Sequence, residues 1–275
     1  MILLVGDVVD DIGVRPLGRI NPASDTEAEI RMTCGGSAAN VAAWLGHLGA
    51  PARFVGRAGI DGVQRHTGAL TAHGVDARIG ADPHLPTATI VLTLDDAADR
   101  TMFVDRAANT TLMPGHLTDD IWAGIAWLHL TGYTYFDTAT RPVAMAAVTE
   151  ARRRGIGVSI DPSSLGFLEA TGRGAALRWF ADADLVFPNE DEQGFLVVDD
   201  EHAVETRGAA GARFRGHAVK AVEADVIDTT GAGDAFCAGF LSVWSTRSDP
   251  EEALAAGVAV AAQCVTRRGA RPTGG

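Results

Sequence analysis

Short apolar segments alternate along this chain with longer segments of helical period, and this alternation constrains the fold more than any other feature. In residues 38–48, for example, Val41, Trp44, Leu45 and Leu48 occupy the i, i+3, i+4 and i+7 positions of one helix face. The predicted strands are residues 2–5, 53–55, 126–130, 156–160 and 184–187, and further predicted helices are residues 62–73 and 139–154. Strands that alternate with helices indicate βαβ units and a mostly parallel sheet.

Two segments depart from this alternation. Residues 87–105 contain two β-rich runs on either side of an acidic stretch at 95–99, which predicts a hairpin. Residues 12–33 belong to a polar stretch that is broken by prolines and reads as a loop. We predict that these two segments together form a small β lid on a single domain that spans residues 1–275.

Charge and lysine content exclude several classes of function. The 275 residues include 23 lysines and arginines against 35 aspartates and glutamates, a net charge of −12, which argues against non-specific nucleic-acid binding. Lys220 is the only lysine and lies outside any phosphate-loop or protein-kinase motif, so neither a P-loop NTPase nor a protein kinase fits. No segment resembles a signal peptide or a membrane-spanning helix, which predicts a cytoplasmic protein with no membrane partner.

The strongest motif is the segment 228–234, which reads Asp-Thr-Thr-Gly-Ala-Gly-Asp and opens a predicted helix. Its two glycines permit a close backbone approach, and the start of the helix offers unpaired amides to an anion. Asp234 lies in the first turn, where it can act as a base beside a bound anion or simply complement the helix dipole. A dinucleotide-binding motif does not fit, because Phe236 occupies the place of the third glycine.

A second glycine pair, Gly35 and Gly36, precedes the first predicted helix. Asn40 can hydrogen-bond a hydroxylated ligand from the first turn of that helix. Ser37 can cap the helix, or it can be read as a nucleophile, although Ala39 breaks the Gly-x-Ser-x-Gly pattern of a hydrolase.

A third segment, residues 189–192, reads Asn-Glu-Asp-Glu and follows a predicted strand. Strand ends of this kind bind ligands in open α/β sheets, and amide and carboxylate groups suit a hydrated Mg²⁺. The alternative is a solvated acidic loop. The glycines of residues 208–211 are explained equally well by a turn.

The order of these motifs resembles the ribokinase-like, or PfkB, family of sugar and nucleoside kinases. The resemblance rests on residues 35–40 and 228–234, with further matches that include Gly6, Asp11 and residues 106–109. It extends over nearly the whole chain, to about Gly269. It implies a three-layer α/β/α fold with a mostly parallel central sheet and a small β lid over the acceptor site.

The resemblance also implies roles for individual residues. Asp234 would be the base that takes the proton from the acceptor hydroxyl. The anion hole for the transferred phosphoryl group would be formed by the backbone amides of Gly231, Ala232 and Gly233. The residues that would hold the acceptor hydroxyls are Asp11, Gly35, Gly36 and Asn40.

ATP and metal ions have implied positions as well. Asn189 and Glu192 would position Mg²⁺ through water beside ATP. The ATP-side strand and turn of the family, Thr-x-Gly-x-x-Gly, are matched by Thr206, Gly208 and Gly211. Many members also use a monovalent cation such as K⁺, for which the matching positions are Asp228 and Thr230.

One segment departs from the family pattern. Members usually place a full helix between the Asn-x-x-Glu motif and the Thr-x-Gly turn, whereas residues 193–205 provide thirteen residues here. A parallel crossover usually needs about a dozen or more residues. Either this edge of the sheet is trimmed, or residues absent from this chain belong there.

The expected function is therefore an ATP-dependent kinase that phosphorylates a hydroxymethyl group of a sugar or sugar-like substrate. A nucleoside kinase of the same family, acting on adenosine or pseudouridine, is the alternative acceptor class. A non-catalytic sensor that binds a sugar or nucleotide is the alternative outside catalysis. The exposed edges of a lid hairpin further predict a homodimer formed through the lids.

Overall fold

The computed structural model describes residues 1–94 and 100–273 and shows thirteen strands and nine α-helices in those residues, besides four short 3-10 helices. The strands are β1 (Ile2–Val5), β2 (Val9–Pro16), β3 (Ala28–Gly35), β4 (Ala52–Gly59), β5 (Asp76–Asp82), β6 (Thr89–Leu94), β7 (Arg100–Asp105), β8 (Trp127–Thr131), β9 (Gly157–Asp161), β10 (Leu185–Val186), β11 (Glu205–Thr206), β12 (Ala212–Phe214) and β13 (His217–Val219). The helices are α1 (Ser37–His47), α2 (Val63–Thr71), α3 (Gly132–Phe136), α4 (Arg141–Arg153), α5 (Leu165–Thr171), α6 (Arg173–Phe180), α7 (Glu190–Leu196), α8 (Ala232–Arg247) and α9 (Pro250–Val265). The elements predicted around 2–5, 38–48 and 139–154 are confirmed, with shifts of one or two residues at their ends.

The central sheet has six strands in the order β10-β9-β8-β1-β4-β5, and every pair in it is parallel. Its two faces carry separate apolar clusters, because successive side chains of a strand point to opposite sides. Ile2 and Leu4 of β1 pack with α1, α8 and α9, whereas Leu3 and Val5 pack with α4 and α6. This arrangement confirms the predicted three-layer α/β/α class.

A second sheet of four strands, in the order β3-β2-β6-β7, contains the two segments that departed from the alternation. The loop predicted over 12–33 is wrong, since half of this segment belongs to β2 and β3, which pair antiparallel. Residues 28–34 of β3 do alternate between apolar and polar side chains, and this strand signal was outweighed by the turn-forming residues Pro16, Gly18 and Pro22 that precede it. The predicted hairpin strands are confirmed as β6 and β7, and its turn at 95–99 lies outside the described residues.

The short crossover after residue 192 is built around a seven-residue helix. Helix α7 ends at Leu196, and the chain then returns parallel to the sheet edge through isolated bridges from Val186 to Ala203 and from Asn189 to Thr206. A small antiparallel sheet, β11-β12-β13, follows directly. A helix of two turns is long enough for this crossover, because the segment after it pairs with the edge of the central sheet at two single positions and does not form a full strand there.

The helices pack on these sheets. In residues 1–94 and 100–273, no helix combines the length and the apolar character that crossing a bilayer requires.

Candidate active site

The loop before α8 is held in place by the side chain of Asp228. Its carboxylate accepts hydrogen bonds from the amide and hydroxyl of Thr230 at 3.0 and 2.7 Å, and from the amide of Gly269 at 3.0 Å. Gly231 has a φ of +77°, and a Cβ there would overlap Ala270. A glycine is therefore required at this position both by its backbone conformation and by the packing of the C-terminal segment. The monovalent-cation role of Asp228 and Thr230 stays a prediction.

Gly233 differs from Gly231, because nothing in the described residues requires it to be glycine. A Cβ added there meets no atom within 4 Å, and its φ is not in the left-handed region. The amides of Gly231 and Gly233 have no hydrogen-bond partner among the described residues, whereas the Ala232 amide donates to the Thr229 carbonyl at 3.2 Å. The open space at this end of a sixteen-residue helix suits an anion.

Asp234, in the first turn of α8, is fixed by two side chains of α1. The Ser37 hydroxyl donates to one carboxylate oxygen at 2.7 Å, and the Asn40 amide nitrogen donates to the other at 2.9 Å. Burial raises the pKa of Asp234 to about 7, and the neighbouring carboxylates of Asp7 and Asp11 act in the same direction. A carboxyl with such a pKa can accept a proton near neutral pH.

The structure does not support either alternative role of Ser37. The amides of Ser37 and Ala38 at the start of α1 donate to the Asp7 carboxylate at 3.1 and 3.2 Å, so Asp7 provides the cap instead of Ser37. The Ser37 hydroxyl donates to a carboxylate, and no histidine of the described residues hydrogen-bonds to either side chain. A hydrolase nucleophile would need such a base beside it.

The glycine pair before α1 allows acidic side chains to approach its backbone. A Cβ at Gly35 would overlap the Asp11 carboxylate, and Gly36 has a φ of +98° and lies against the Asp7 carbonyl. Burial raises the pKa of Asp11 to about 6, although Arg271 acts against this rise. The predicted acceptor residues therefore lie in one cluster beside Asp234, as the motifs indicated.

Arg271 also belongs to this cluster, and the sequence did not point to it. Its Nε donates to Asn40 Oδ1 at 3.0 Å, and one Nη donates to the Gly35 carbonyl at 2.7 Å. The preceding residue is fixed too, because Trp44 Nε1 donates to the Ala270 carbonyl at 2.8 Å. The sequence offered only a group of arginines after α9. Arginine is the usual basic residue of this chain, which has a single lysine, so the group did not stand out as a functional signal.

A cavity of about 500 Å³ extends from Asp234 to the region of α7 and β11. The predicted site residues that line it are Gly231, Ala232, Gly233 and Asp234 at one end and Asn189, Glu192, Thr206 and Gly208 at the other. Gly211 does not line it. Its φ of +96° and the nearby Val219 carbonyl require glycine there, and its ATP-side role stays a prediction.

Comparison with known proteins identifies the family. The family model described as pfkB family carbohydrate kinase matches residues 1–273. The chain belongs to the pfkB family. The resemblance that the two glycine motifs indicated is thereby confirmed, and with it the prediction of a kinase.

Relatives of this pfkB-family chain are named sugar kinases. It is 32% identical to the ATP-dependent ribose-1-phosphate kinase of Halopiger xanaduensis, over 98% of this chain and 93% of the relative. It is 31% identical to the fructokinase of Klebsiella pneumoniae, over 96% and 91% of the two chains. A fructokinase from Vibrio cholerae O395, solved with fructose, ADP and a calcium ion bound, has a TM-score of 0.80 and 26% identity, and the match covers 98% of this chain and 94% of that one.

The far end of the cavity in this pfkB-family chain contains two buried carboxyls. Asn189 and Glu192 form a reciprocal cap of α7, in which each side chain accepts from the backbone amide of the other, at 2.9 and 3.0 Å. Burial raises the pKa of Glu192, which is 3% exposed. The pKa of Asp161 is raised as well, by burial and by the charges of Glu192 and Asp234.

These carboxyls fit a hydrated divalent cation. Neither arginine, lysine nor histidine is among the described residues that line the cavity, so a bound cation would supply the missing positive charge. No three side chains of metal-binding type come close enough together to hold an ion within residues 1–94 and 100–273. Mg²⁺ tolerates such a site, because it keeps several of its waters and needs few protein ligands.

Proposed function

We propose that the protein is an ATP-dependent kinase that phosphorylates a hydroxymethyl group of a sugar or sugar-like substrate. The observation that carries the proposal is the position of Asp234, between the cavity and the glycine pair of α1, with a pKa near neutrality. The named activities of the relatives agree with it, since both act on sugars and one is named as ATP-dependent.

In the proposed reaction, Asp234 accepts the proton of the acceptor hydroxyl. The hydroxyl oxygen bonds to the γ-phosphorus of ATP as the bond to the ADP oxygen breaks. The open backbone at Gly231 and Gly233, with amides that have no protein partner in the described structure, would stabilise the charge on the transferred group. Such backbone donors account for a kinase that lacks a phosphate-binding lysine.

The nucleotide is proposed to occupy the cavity, with its adenosine end toward Thr206 and Gly208. Mg²⁺, when bound through water near Asn189 and Glu192, would supply charge neutralisation for the phosphates. A divalent ion and a nucleotide both occur in the fructokinase of similar fold, which was solved with ADP and calcium. The second sheet is proposed to act as the lid, since β2 carries Asp11 and β3 ends at Gly35.

The test is an assay of ADP formation with ATP, Mg²⁺ and a panel of acceptors. The panel contains fructose, ribose, ribose 1-phosphate, a 2-keto-3-deoxy sugar acid, adenosine and pseudouridine. We expect a sugar or sugar phosphate to stimulate ADP formation most, because the relatives named above act on sugars. Stimulation by a nucleoside alone would move the acceptor to the other class, and ATP binding without turnover on any acceptor would indicate a sensor.

Glu192→Gln should weaken activity at low Mg²⁺ and raise the Mg²⁺ concentration needed for half-maximal rate. Glutamine can still form the reciprocal cap with Asn189, so the substitution removes charge without removing the helix cap. The check is a Mg²⁺ titration at saturating ATP and acceptor, with Asp191→Asn as the matched loss of one negative charge on the same helix. An unchanged titration would leave Glu192 with a capping role alone.

We expect a homodimer formed through the outer face of the second sheet. Met32, Ile12, Val91 and Phe103 form one row of cross-strand partners on that face, and the two on the edge strands are more than half exposed. Light scattering should give twice the chain mass, and Phe103→Asp should give a monomer. Met102→Asp places the same charge on the opposite face and should leave the dimer intact. A monomeric wild-type protein would contradict the prediction.

A further inference from the structure

Arg271 makes two hydrogen bonds to the acceptor cluster from outside both glycine motifs. Its Nε donates to Asn40 Oδ1, and one Nη donates to the carbonyl of Gly35. The segment that carries it is anchored by the Gly269 amide on Asp228 and by the Ala270 carbonyl on Trp44. The guanidinium is therefore fixed by its own hydrogen bonds and by the anchored backbone of the two residues before it.

The contact with Arg271 decides which way the Asn40 amide faces. A guanidinium donates hydrogen bonds and accepts none, so Asn40 must turn its oxygen toward Arg271. The amide nitrogen of Asn40 is then directed to Asp234, where it donates at 2.9 Å. With the opposite orientation, the oxygen of Asn40 would face the carboxylate of Asp234 and repel its ionised form.

Arg271 also opposes the acidic surroundings of Asp234. The titratable groups that act on Asp234 electrostatically include Asp7, Asp11, Asp161, Tyr133, Cys237, Cys264 and Arg271. Arg271 is the cation in this set, and the carboxylates all disfavour a negative charge on Asp234. A nearby positive charge favours the ionised form of a carboxyl and thus its readiness to accept a proton.

We propose that Arg271 is a positioning residue, which orients Asn40 and favours the ionised form of Asp234, the form that can serve as the base. The proposal rests on the function proposed above. Arg271 needs no contact with the substrate for this role, since it acts through Asn40 and through its charge. One of its Nη atoms has no partner among the described residues and is buried, so the charge is poorly screened by water.

The experiment compares Arg271→Met with Arg268→Met, which removes an exposed arginine three residues away. The rate kcat/KM is measured from pH 5.5 to 9.5 with the best acceptor. The acidic limb is the part of this pH profile in which the rate rises as Asp234 loses its proton. In Arg271→Met we expect this limb to move to higher pH by about one unit, the smaller end of the usual effect of a neighbouring opposite charge. The rate below the limb should fall about tenfold and approach that of wild type near pH 9. Arg268→Met should leave the limb where it is.

A second measurement does not depend on turnover. The Asp234 carboxyl can be titrated by ¹³C NMR in protein labelled at aspartate carboxyls, with Asp234→Asn used to assign its signal. Its pKa should be about one unit higher in Arg271→Met than in wild type. If wild type has no kinase activity but shows this difference, the proposed function fails while the electrostatic role of Arg271 stands.

Two results would overturn the positioning role. One is an unchanged limb and an unchanged Asp234 titration in a folded Arg271→Met protein. The other is full additivity of Arg271→Met and Asn40→Ala in the double variant, because residues that act through one another give non-additive effects. If Arg271→Met fails to fold, Arg271→Lys is used instead, because lysine keeps the positive charge. The acidic limb should then stay close to its wild-type position. A shift of a full pH unit in Arg271→Lys would contradict the electrostatic part of the proposal.

Discussion

Asp234→Asn is expected to lower kcat by about 10²- to 10⁴-fold, the usual contribution of a general base. The carboxylate accepts from Ser37 and Asn40. An asparagine can keep both contacts, because its oxygen can accept from Asn40 while its nitrogen donates to the Ser37 hydroxyl. The substitution therefore removes the base and preserves the local structure. The measurement is acceptor-saturation kinetics, with circular dichroism to confirm the fold.

Asp11→Ala is the comparison that separates chemistry from binding. Asp11 lies against Gly35 on the acceptor side, where it would hold acceptor hydroxyls in the ground state and in the transition state alike. Its loss should therefore raise the acceptor KM and change kcat much less. If Asp234→Asn kept most of the wild-type kcat, the assigned mechanism would be wrong.

Stability distinguishes the base from a simple partner of the helix dipole. Burial raises the pKa of Asp234 to about 7 from 3.8, so its protonated form is favoured in the folded protein. Its stabilising contribution is complete below the unfolded pKa and is lost as pH rises toward 7. Because asparagine does not titrate, the stability of Asp234→Asn relative to wild type should increase as the pH rises from 4 to 8. The increase in the free energy of unfolding should be up to about 4 kcal/mol, at 1.36 kcal/mol per pKa unit. A dipole partner would instead cost about 0.3–1 kcal/mol when removed. Urea unfolding at pH 5 and pH 8 measures the sign.

Gly233→Ala should stabilise the protein and still lower its activity about 10²-fold, a loss similar to that of one oxyanion-hole donor. Alanine favours a helix over glycine by up to about 1 kcal/mol, and the added Cβ meets no protein atom within 4 Å. The same Cβ would enter the space proposed for the transferred phosphoryl group. Thermal melts and ATP-saturation kinetics on one preparation test both effects.

Gly194→Ala is the matched control for that substitution. Gly194 lies within α7, has no atom near its Cβ position and is absent from the cavity lining. It should show the gain in stability without a loss of activity. Full activity in Gly233→Ala would indicate that the phosphoryl group does not approach α8 at this point.

The sequence predicted the structure best at positions where the local backbone allows only one type of residue. The glycines at 35, 36 and 231 are required by close backbone approaches or positive φ, and the helix that follows each motif is largely buried. The family resemblance carried by the two motifs therefore implied one site for Asp234 and Asn40, although each motif by itself also allowed a purely structural role. Helix α9 also begins with a local signal, because the Asp249 side chain accepts a hydrogen bond from the Glu252 amide and Pro250 follows at the first helical position.

The remaining features depend on tertiary structure. Strand β3 is an exception, because its apolar–polar alternation is visible in the sequence, and the turn-forming residues before it led to its interpretation as a loop. Arg271 acquires its role only when the C-terminal segment packs beside Gly231, a contact that no local pattern encodes. The acidic run at 189–192 suggested a metal site, but its capping bonds form only in the folded chain.

The contacts around Asp234 join residues that are far apart along the chain. Ser37 and Asp234 are separated by 197 positions, and Gly35 and Arg271 by 236. Closing loops of this length is entropically costly and slows folding relative to the formation of local helices. In a refolding experiment, helical circular dichroism should therefore recover before phosphoryl transfer does. Catalytic competence would report the completed topology, and a partly folded chain with most of its helices formed would still be inactive.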